Sequence, residues 1–282
     1  MLSTHHIRRR FERAASTFDS ADFVHAATRD GLLRRIEPLL IDAQTIVDLG
    51  CATGAAARPL RKRFPKARLV GVDLAHNMLR AANTRKSFFA RSSFVQADAR
   101  ALPFANESID VVFSNQLLPW IANPDEVFVE IARVLKKGGV FAFATLGPDS
   151  LLEISRAWRE IDDGLHVSRF PDMHNLGDGL VNAGLRDPVL DVDRLTVSYS
   201  GTDALLADLG AAGARNMLQG RTRTLTGKGK FQGMLTALAS AMVDGKIALE
   251  LELVFGHCWG AGPKMDPANY RIDASRIPLR GK

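Results

Sequence analysis

The sequence predicts an α/β fold in which helices cover both faces of a mostly parallel sheet. From residue 46, short apolar runs alternate with longer stretches of helical period, which is typical of parallel strands joined by crossover helices. The chain has 282 residues, of which 46% are hydrophobic and 24% charged, so wholesale disorder is excluded. The length fits one large domain, or one domain that carries an insertion.

The first 40 residues predict a helical segment in front of the sheet. Apolar side chains recur there at helical spacing, in two groups: Phe11, Ala14, Ala15 and Phe18, and then Leu32, Leu33, Ile36 and Leu39. We therefore expect residues 1–40 to form a helical cap on the domain that follows.

Five strand–helix alternations come next. The strands are predicted at residues 46–49, 69–73, 93–97, 109–114 and 140–144. Helices between them are predicted at residues 55–64, 75–84 and 124–135. The last helix ends at a Lys-Lys-Gly-Gly run, where cations and glycine favour a helix C-terminus.

The alternation stops after Thr145. Residues 149–163 and 172–184 have a helical pattern, and residues 188–199 and 249–259 predict two further strands. The sheet is then expected to have seven strands.

A basic, helical insert at about residues 202–245 precedes the last predicted strand. We expect residues 41–260 to form the main domain. Residues 261–282 are expected to form a loose tail, because they have little apolar periodicity.

Charge and cysteine content limit the classes of function. Lys and Arg exceed Asp and Glu by 37 − 31 = 6, but aromatic residues are not interleaved with the basic ones, so no nucleic-acid partner is expected. No run of about 18 apolar residues is present, so no membrane partner is expected. Cys51 and Cys258 are too few for a disulfide framework or a four-cysteine zinc site, so no metal is predicted and a cytoplasmic location is the default.

The turn after the first strand is the sharpest functional signal. Gly50, Ala52 and Gly54 alternate in the stretch VDLGCATG, and glycine at such a turn lets the backbone approach a ligand closely. The pattern differs from the dinucleotide fingerprint G-x-G-x-x-G. No Gly-Lys-Ser/Thr follows, so a nucleoside triphosphate is not expected.

Two carboxylates follow neighbouring strands. Asp73 ends the second strand and could accept hydrogen bonds from both hydroxyls of a ribose, while Asp98 and Ala99 follow the third strand, within reach of an adenine ring. The carboxyl ends of parallel strands are where open α/β sheets bind ligands. Taken singly, each feature has a structural alternative, since glycine serves packing and aspartate caps helices.

The ordered set of motifs resembles the class I S-adenosylmethionine (SAM)-dependent methyltransferases, which have a Rossmann-like fold. The matching stretches are VDLGCATG (47–54), LVGVDLAHNML (69–79), VQADARALPFANESIDVVFSN (95–115) and VLKKGGVFAFAT (134–145).

This resemblance implies SAM as the cofactor. It implies Gly50, Ala52 and Gly54 at the methionine part, Asp73 on the ribose, and Asp98 with Ala99 at the adenine. The rest of the expected cofactor site is Asp48, Leu74, Met78, Ser114 and Asn115. Ala52 departs from the pattern, because glycine is commoner there.

A narrower resemblance extends over nearly the whole chain, to the malonyl-acyl-carrier-protein O-methyltransferases of biotin synthesis. It is carried by the stretches IRRRFERAASTFDSA (7–21), SNQLLPW (114–120), TLGPDSL (145–151), HVSRFPDMHNLGDGL (166–180), DLGAAGARN (208–216), LTGKGK (225–230) and VFGHCWG (254–260). It implies methylation of the free carboxyl of a malonyl group on an acyl carrier protein.

Three residues are candidates for the acceptor end of the site. Arg169 is the first candidate for an arginine fork on a substrate carboxylate, and Arg215 is the second. His166 is a candidate pocket residue. Phe18 departs from the family, which typically has tyrosine at this position.

Two alternatives stay open at this stage. Several of the motifs are shared with methyltransferase-fold proteins of respiratory complex I assembly, which act on a protein side chain and include a hydroxylase. A non-catalytic assembly partner with the same fold is the other alternative. The Asn-Gln-Leu-Leu stretch that begins at Asn115 differs from the Asn/Asp-Pro-Pro-Tyr motif of amide-nitrogen methyltransferases.

Overall fold

A computed structural model describes residues 3–85, 92–214 and 227–262. Seven strands form a single sheet in the described residues: β1 (Thr45–Leu49), β2 (Arg68–Asp73), β3 (Ser92–Gln96), β4 (Ile109–Asn115), β5 (Leu135–Leu146), β6 (Arg186–Tyr199) and β7 (Ile247–Trp259). Their order is β3-β2-β1-β4-β5-β7-β6. The first five strands pair in parallel, and β7 pairs antiparallel with both β5 and β6. The predicted α/β fold with a mostly parallel seven-stranded sheet is therefore confirmed.

Helices precede and connect these strands. They are α1 (Thr4–Ala14), α2 (Phe23–Ile36), α3 (Ala57–Arg63), α4 (His76–Thr84), α5 (Pro124–Val134), α6 (Leu152–Arg159), α7 (Met173–Asn182), α8 (Thr202–Ala211) and α9 (Lys228–Ser240). Short 3₁₀ turns occur at Phe18–Ala21 and Leu118–Trp120. None of the described helices is long and apolar enough to cross a membrane.

The strand β5 is longer than its sequence pattern predicted. It begins at Leu135 and not at Val140, because Leu135 pairs with Ile109 of β4. Gly138, with φ of +75°, bends the strand, and its amide donates to the carbonyl of Gly260. The glycine pair thus continues the strand through a bend directly after α5.

Both faces of the sheet are packed. Side chains alternate along β4 and β5, so that Val112 and Phe141 pack with α5 and α7, while Val111 and Val140 pack with α2 and α3. All four are fully buried. A sheet covered on both faces is a rigid platform, and it holds the carboxyl ends of its strands in fixed positions.

The N-terminal segment packs across this carboxyl edge. Phe18 is buried with Met78 of α4, and Glu12 accepts hydrogen bonds of 2.8 Å from the amides of both His76 and Asn77. These amides are among the first of α4, whose N-cap residue, Ala75, provides no side-chain cap. Glu12 therefore caps α4 from another helix and ties α1 to the edge of the sheet.

The predicted division into cap, main domain and tail stays a prediction. The helical character of the first 40 residues is present as α1, a 3₁₀ turn and α2. Two helices, α8 and α9, occupy the insert. Residues 215–226 of the insert and 263–282 of the tail lie outside the described residues.

Candidate active site

A cavity opens at the carboxyl ends of β1, β2 and β4. Its volume is about 890 Å³, including the part open to solvent. The walls come from the glycine turn, the ends of the strands and the N-terminal segment. The segment contributes Thr4, Ile7, Phe11, Phe18 and His25.

Most of the predicted cofactor residues line this cavity: Gly50, Ala52, Asp73, Leu74, Asp98, Ala99 and Asn115. The other four lie outside its lining. Asp48 and Ser114 are buried within their strands, Met78 packs beneath Phe18, and Gly54 lies against Ala82 of α4. Contact with the cofactor stays a prediction for all eleven residues.

The glycine turn wraps over the end of β2. The amides of Gly50 and Cys51 both donate to the carbonyl of Val72, at 2.8 and 3.0 Å, and the amide of Ala52 donates to Asp73 at 2.9 Å. Gly50 and Ala52 have left-handed backbones, with φ of +78° and +45°. Glycine adopts this conformation freely, whereas alanine at position 52 costs about 1 kcal/mol, which explains why glycine suits the position better.

Asp73 is held in place by backbone donors. One carboxylate oxygen accepts from the amide of Ala52 and the other from the amide of Ala75, at 2.9 and 2.8 Å. Burial raises its pKa to about 6, against the lowering effect of these hydrogen bonds. Each oxygen keeps acceptor capacity, so the carboxylate can still receive the two hydroxyls of a ribose.

Asp98 forms an ion pair that the sequence did not reveal. Its oxygens accept from the Arg100 guanidinium at 2.7 and 3.0 Å, and this lowers the pKa of Asp98. Arg100 also lines the cavity and donates to Thr4 of α1 at 3.0 Å. The adenine end of the predicted site is therefore closed by a contact between the cap and the sheet.

The other end of the cavity, beside β4, has an aromatic wall. The ring of Phe18 lies 4.9 Å from the ring of His25, and Phe11 meets Trp120 edge to face at 5.1 Å. Neither His25 nor Gln116 was identified from sequence as a site residue, although both line the cavity. The signal for Gln116 was its place directly after β4, whereas a single histidine in a helix gives no such signal.

The two predicted acceptor-binding residues that the structure describes, His166 and Arg169, do not line the cavity. His166 stacks on Trp158 with ring centroids 3.7 Å apart, and its Nε2 atom lies 2.6 Å from Asp162, which also binds Lys230. Arg169 is exposed and does not line the cavity. Arg215 lies outside the described residues. The roles of these residues at the substrate stay predictions.

No metal site accompanies the cavity in the part of the chain that the structure describes. No group of three or more His, Cys, Asp or Glu side chains that could hold a metal ion is found there. The residues do fit a nucleoside, because a rigid carboxylate for the ribose lies between a turn with left-handed backbone and the Asp98–Ala99 pair after β3, and all of these line the cavity.

The fold and the site together define a class I SAM-dependent methyltransferase. The glycine turn, Asp73 and Asp98 lie at the ends of β1, β2 and β3. SAM is the cofactor of this class, and its contact with these residues stays a prediction. Residues 47–143 match a sequence family described as a methyltransferase domain.

Comparison with known proteins identifies the family. A malonyl-acyl-carrier-protein O-methyltransferase from Methylovorus sp. (strain MP688) is 39% identical over 259 residues, which are 90% of this chain and 88% of that protein. The chain therefore belongs to the malonyl-acyl-carrier-protein O-methyltransferase family, which confirms the resemblance.

Solved structures support the fold. The YcgJ protein from Bacillus subtilis has a TM-score of 0.61 at 15% identity, over 84% of this chain and 100% of that one. Phosphoethanolamine N-methyltransferase 2 from Haemonchus contortus, solved with SAM, has a TM-score of 0.54 at 18% identity, over 88% of this chain and 57% of that one. At this level of identity, the likeness concerns the fold alone.

Proposed function

We propose that this protein methylates the free carboxyl of a malonyl group carried by an acyl carrier protein, and so acts in biotin synthesis. The observation that carries the proposal is the 39% identity, over 90% of the chain, with a malonyl-acyl-carrier-protein O-methyltransferase. The cavity at the carboxyl edge of the sheet supports it, because the residues expected at the nucleoside and the residues beside β4 line the same space.

The chemistry asks little of the protein beyond positioning. A carboxylate is ionised at neutral pH, so no general base is needed to activate it. SAM, when bound, would supply a methyl group from its sulfonium, and the electron pair of the broken sulfur–carbon bond would stay on sulfur as the new oxygen–carbon bond forms. Holding two reactants in line contributes about 7–11 kcal/mol to such a reaction.

The lining of the cavity supports this chemistry. A carboxylate and a sulfonium lose their charges as the methyl group passes between them, so surroundings of low polarity favour the transition state over the separated ions. Phe11, Phe18, Leu117 and Trp120 surround the space beside β4. These side chains exclude water from the acceptor without adding charge.

Helix α1 is the proposed docking surface for the carrier. Arg8, Arg9 and Arg13 are exposed on it, while Thr4 and Ile7 of the same helix line the cavity. An acyl carrier protein is acidic, so electrostatic attraction would steer it to this helix. The acyl group would then lie next to the opening of the cavity. Docking onto α1, and a cytoplasmic location for the reaction, are both part of the proposal.

The decisive experiment is methyl transfer from labelled SAM to malonyl-acyl carrier protein. Acetyl-loaded and unloaded carriers are the controls, since both lack the free carboxyl. We expect label only on the malonyl-loaded carrier. Measurable SAM binding without malonyl-dependent transfer would contradict the proposal and would favour the alternative in which the acceptor is a protein side chain.

A further inference from the structure

Three buried polar atoms on the β4 side of the cavity have no hydrogen-bond partner in the described structure. They are Nδ1 of His25, Oδ1 of Asn115 and Nε2 of Gln116, and all three residues line the cavity. A buried polar atom without a partner costs about 1–3 kcal/mol, and such atoms are rare in folded proteins. Nδ1 of His25 and Nε2 of Gln116 can both act as N–H donors, so their presence in two residues that line one cavity favours a ligand that accepts hydrogen bonds.

The wall is built rigidly. The side-chain amide of Asn115 donates to the carbonyl of His25 at 2.9 Å, which fastens α2 to the end of β4. Gln116 is only 6% exposed, and its backbone amide donates to the backbone carbonyl of Ala144 of β5 at 2.8 Å. Its backbone is left-handed, with φ of +59°. Left-handed backbone in a residue other than glycine is strained, and such strain is concentrated at functional sites.

The order of the strands shows which ligand this wall faces. Along the carboxyl edge, Asp98 follows β3, Asp73 ends β2, Gly50 follows β1, and Asn115 ends β4. If the adenine and ribose of SAM bind at Asp98 and Asp73, the methionine end lies at Gly50. The next position along the edge, beside β4, is then the place of the methyl acceptor.

We propose that His25 and Gln116 bind the carboxylate of the acceptor, each through a neutral N–H group. This inference rests on the proposed function and names the residues that recognise its substrate. Neutral donors orient a carboxylate through two hydrogen bonds and leave its charge in place. A guanidinium in contact would stabilise the ionised carboxylate before transfer and so make it a poorer nucleophile.

The surroundings of His25 agree with a neutral imidazole. Burial lowers its pKa, with a smaller raising effect of Asp22 and a lowering effect of Arg29. The Phe18 ring, 4.9 Å away, packs against the imidazole and fixes its plane. A neutral imidazole carries one N–H donor, and the unpartnered Nδ1 is available to provide it.

The test compares carriers that differ only in the carboxylate. Binding of malonyl- and acetyl-acyl carrier protein is measured with the demethylated cofactor product bound, so that no reaction occurs. The variants are Gln116→Met, which keeps the length and removes the donor, and His25→Leu, each made separately. His25→Asn restores a donor close to the position of Nδ1. Arg169→Ala tests the other candidate position for the carboxylate site.

We expect Gln116→Met and His25→Leu each to weaken malonyl-carrier binding by about 10- to 100-fold, the usual loss for a hydrogen bond to a charged group. Acetyl-carrier binding and SAM affinity should stay unchanged in both, and His25→Asn should recover most of the loss. A merely structural role would weaken both carriers alike and would overturn the inference.

Two further outcomes separate this inference from the proposed function. If wild type methylates the malonyl carrier and both variants keep its preference for malonyl over acetyl, the inference is wrong and the function stands. Loss of that preference in Arg169→Ala alone would move the carboxylate site to Arg169. If wild type shows no malonyl-dependent transfer, the proposed function fails and the inference fails with it.

Discussion

Asp48 should make the free protein less stable as the pH rises. It lies in the middle of β1, 3% exposed, and burial together with the charge of Asp73 raises its pKa to about 7 from an ordinary value of 3.8. The folded protein therefore holds this proton more tightly than the unfolded chain. The stability from Asp48 is fully present below the unfolded pKa and is lost as the pH rises through the folded pKa.

The size of the effect follows from these two values. Between the unfolded and folded pKa, each pH unit costs about 1.4 kcal/mol of unfolding free energy. From about pH 5 to about pH 7 the loss is therefore about 2 kcal/mol, and little further change is expected above about pH 8. His25 and His257 act in the opposite direction, because burial lowers their pKa values and their contribution grows with pH.

A difference measurement isolates Asp48 from these histidines. Urea unfolding of wild type and Asp48→Asn is followed without SAM across this pH range, because bound ligand would add its own stabilisation. The unfolding free energy of wild type minus that of the variant should fall by about 2 kcal/mol from low to high pH. Ser114→Ala removes a buried hydroxyl that donates to Leu49 at 3.0 Å and no titrating group, so its difference should be constant. A constant difference for Asp48→Asn would refute the argument and would mean that Asp48 is ionised in the folded protein.

Three other predictions test the site and the cap. Asp73→Asn should lower SAM affinity by about 10- to 100-fold by equilibrium dialysis, because a charged acceptor for the ribose is lost; unchanged affinity would contradict the ribose assignment. Glu12→Ala should speed hydrogen exchange of the two amides that Glu12 caps on α4 by about 5- to 30-fold, because loss of a cap costs about 1–2 kcal/mol. Equal exchange rates in wild type and variant would mean that the cap is not formed in solution. Arg8→Glu with Arg9→Glu should raise KM for the malonyl carrier and flatten its salt dependence, while KM for SAM stays constant; an unchanged carrier KM would remove α1 as the docking surface.

The parts of this protein that repeat a pattern could be predicted from the sequence. The buried strands β1 and β2 are short apolar runs, and the motifs at their ends form part of the predicted nucleoside site, so both could be found together. The full length of β5 could not be predicted, because its first residues join the strand only through pairing with other segments. Leu135 pairs with β4, and Gly138 bonds to the segment after β7, and no local sequence pattern shows either contact.

The acceptor end could not be predicted in the same way, because it is assembled from distant segments. His25 reaches the cavity because α2 packs behind the end of β4. The hydrogen bond from the Asn115 side chain to the carbonyl of His25 holds α2 there, and it joins residues 90 positions apart. Arg169 looked suitable by charge and motif. It lies outside the cavity, three residues after His166, which stacks on Trp158, and such packing is a property of the tertiary fold.

Charged and neutral polar side chains lie at different ends of the cavity, and this arrangement suits methyl transfer to an anion. Among the described residues that line the cavity, Asp73, Asp98 and Arg100 are charged, and all three lie at the predicted nucleoside end, where Arg100 is paired with Asp98. Beside β4 the polar groups are amides and a histidine whose pKa is lowered by burial. A cation there would stabilise the acceptor before reaction more than during it, since the acceptor loses its charge in the transition state. Neutral donors beside aromatic rings avoid that penalty. Replacing His25 with arginine should therefore tighten malonyl-carrier binding and slow methyl transfer. A faster reaction in that variant would contradict this account.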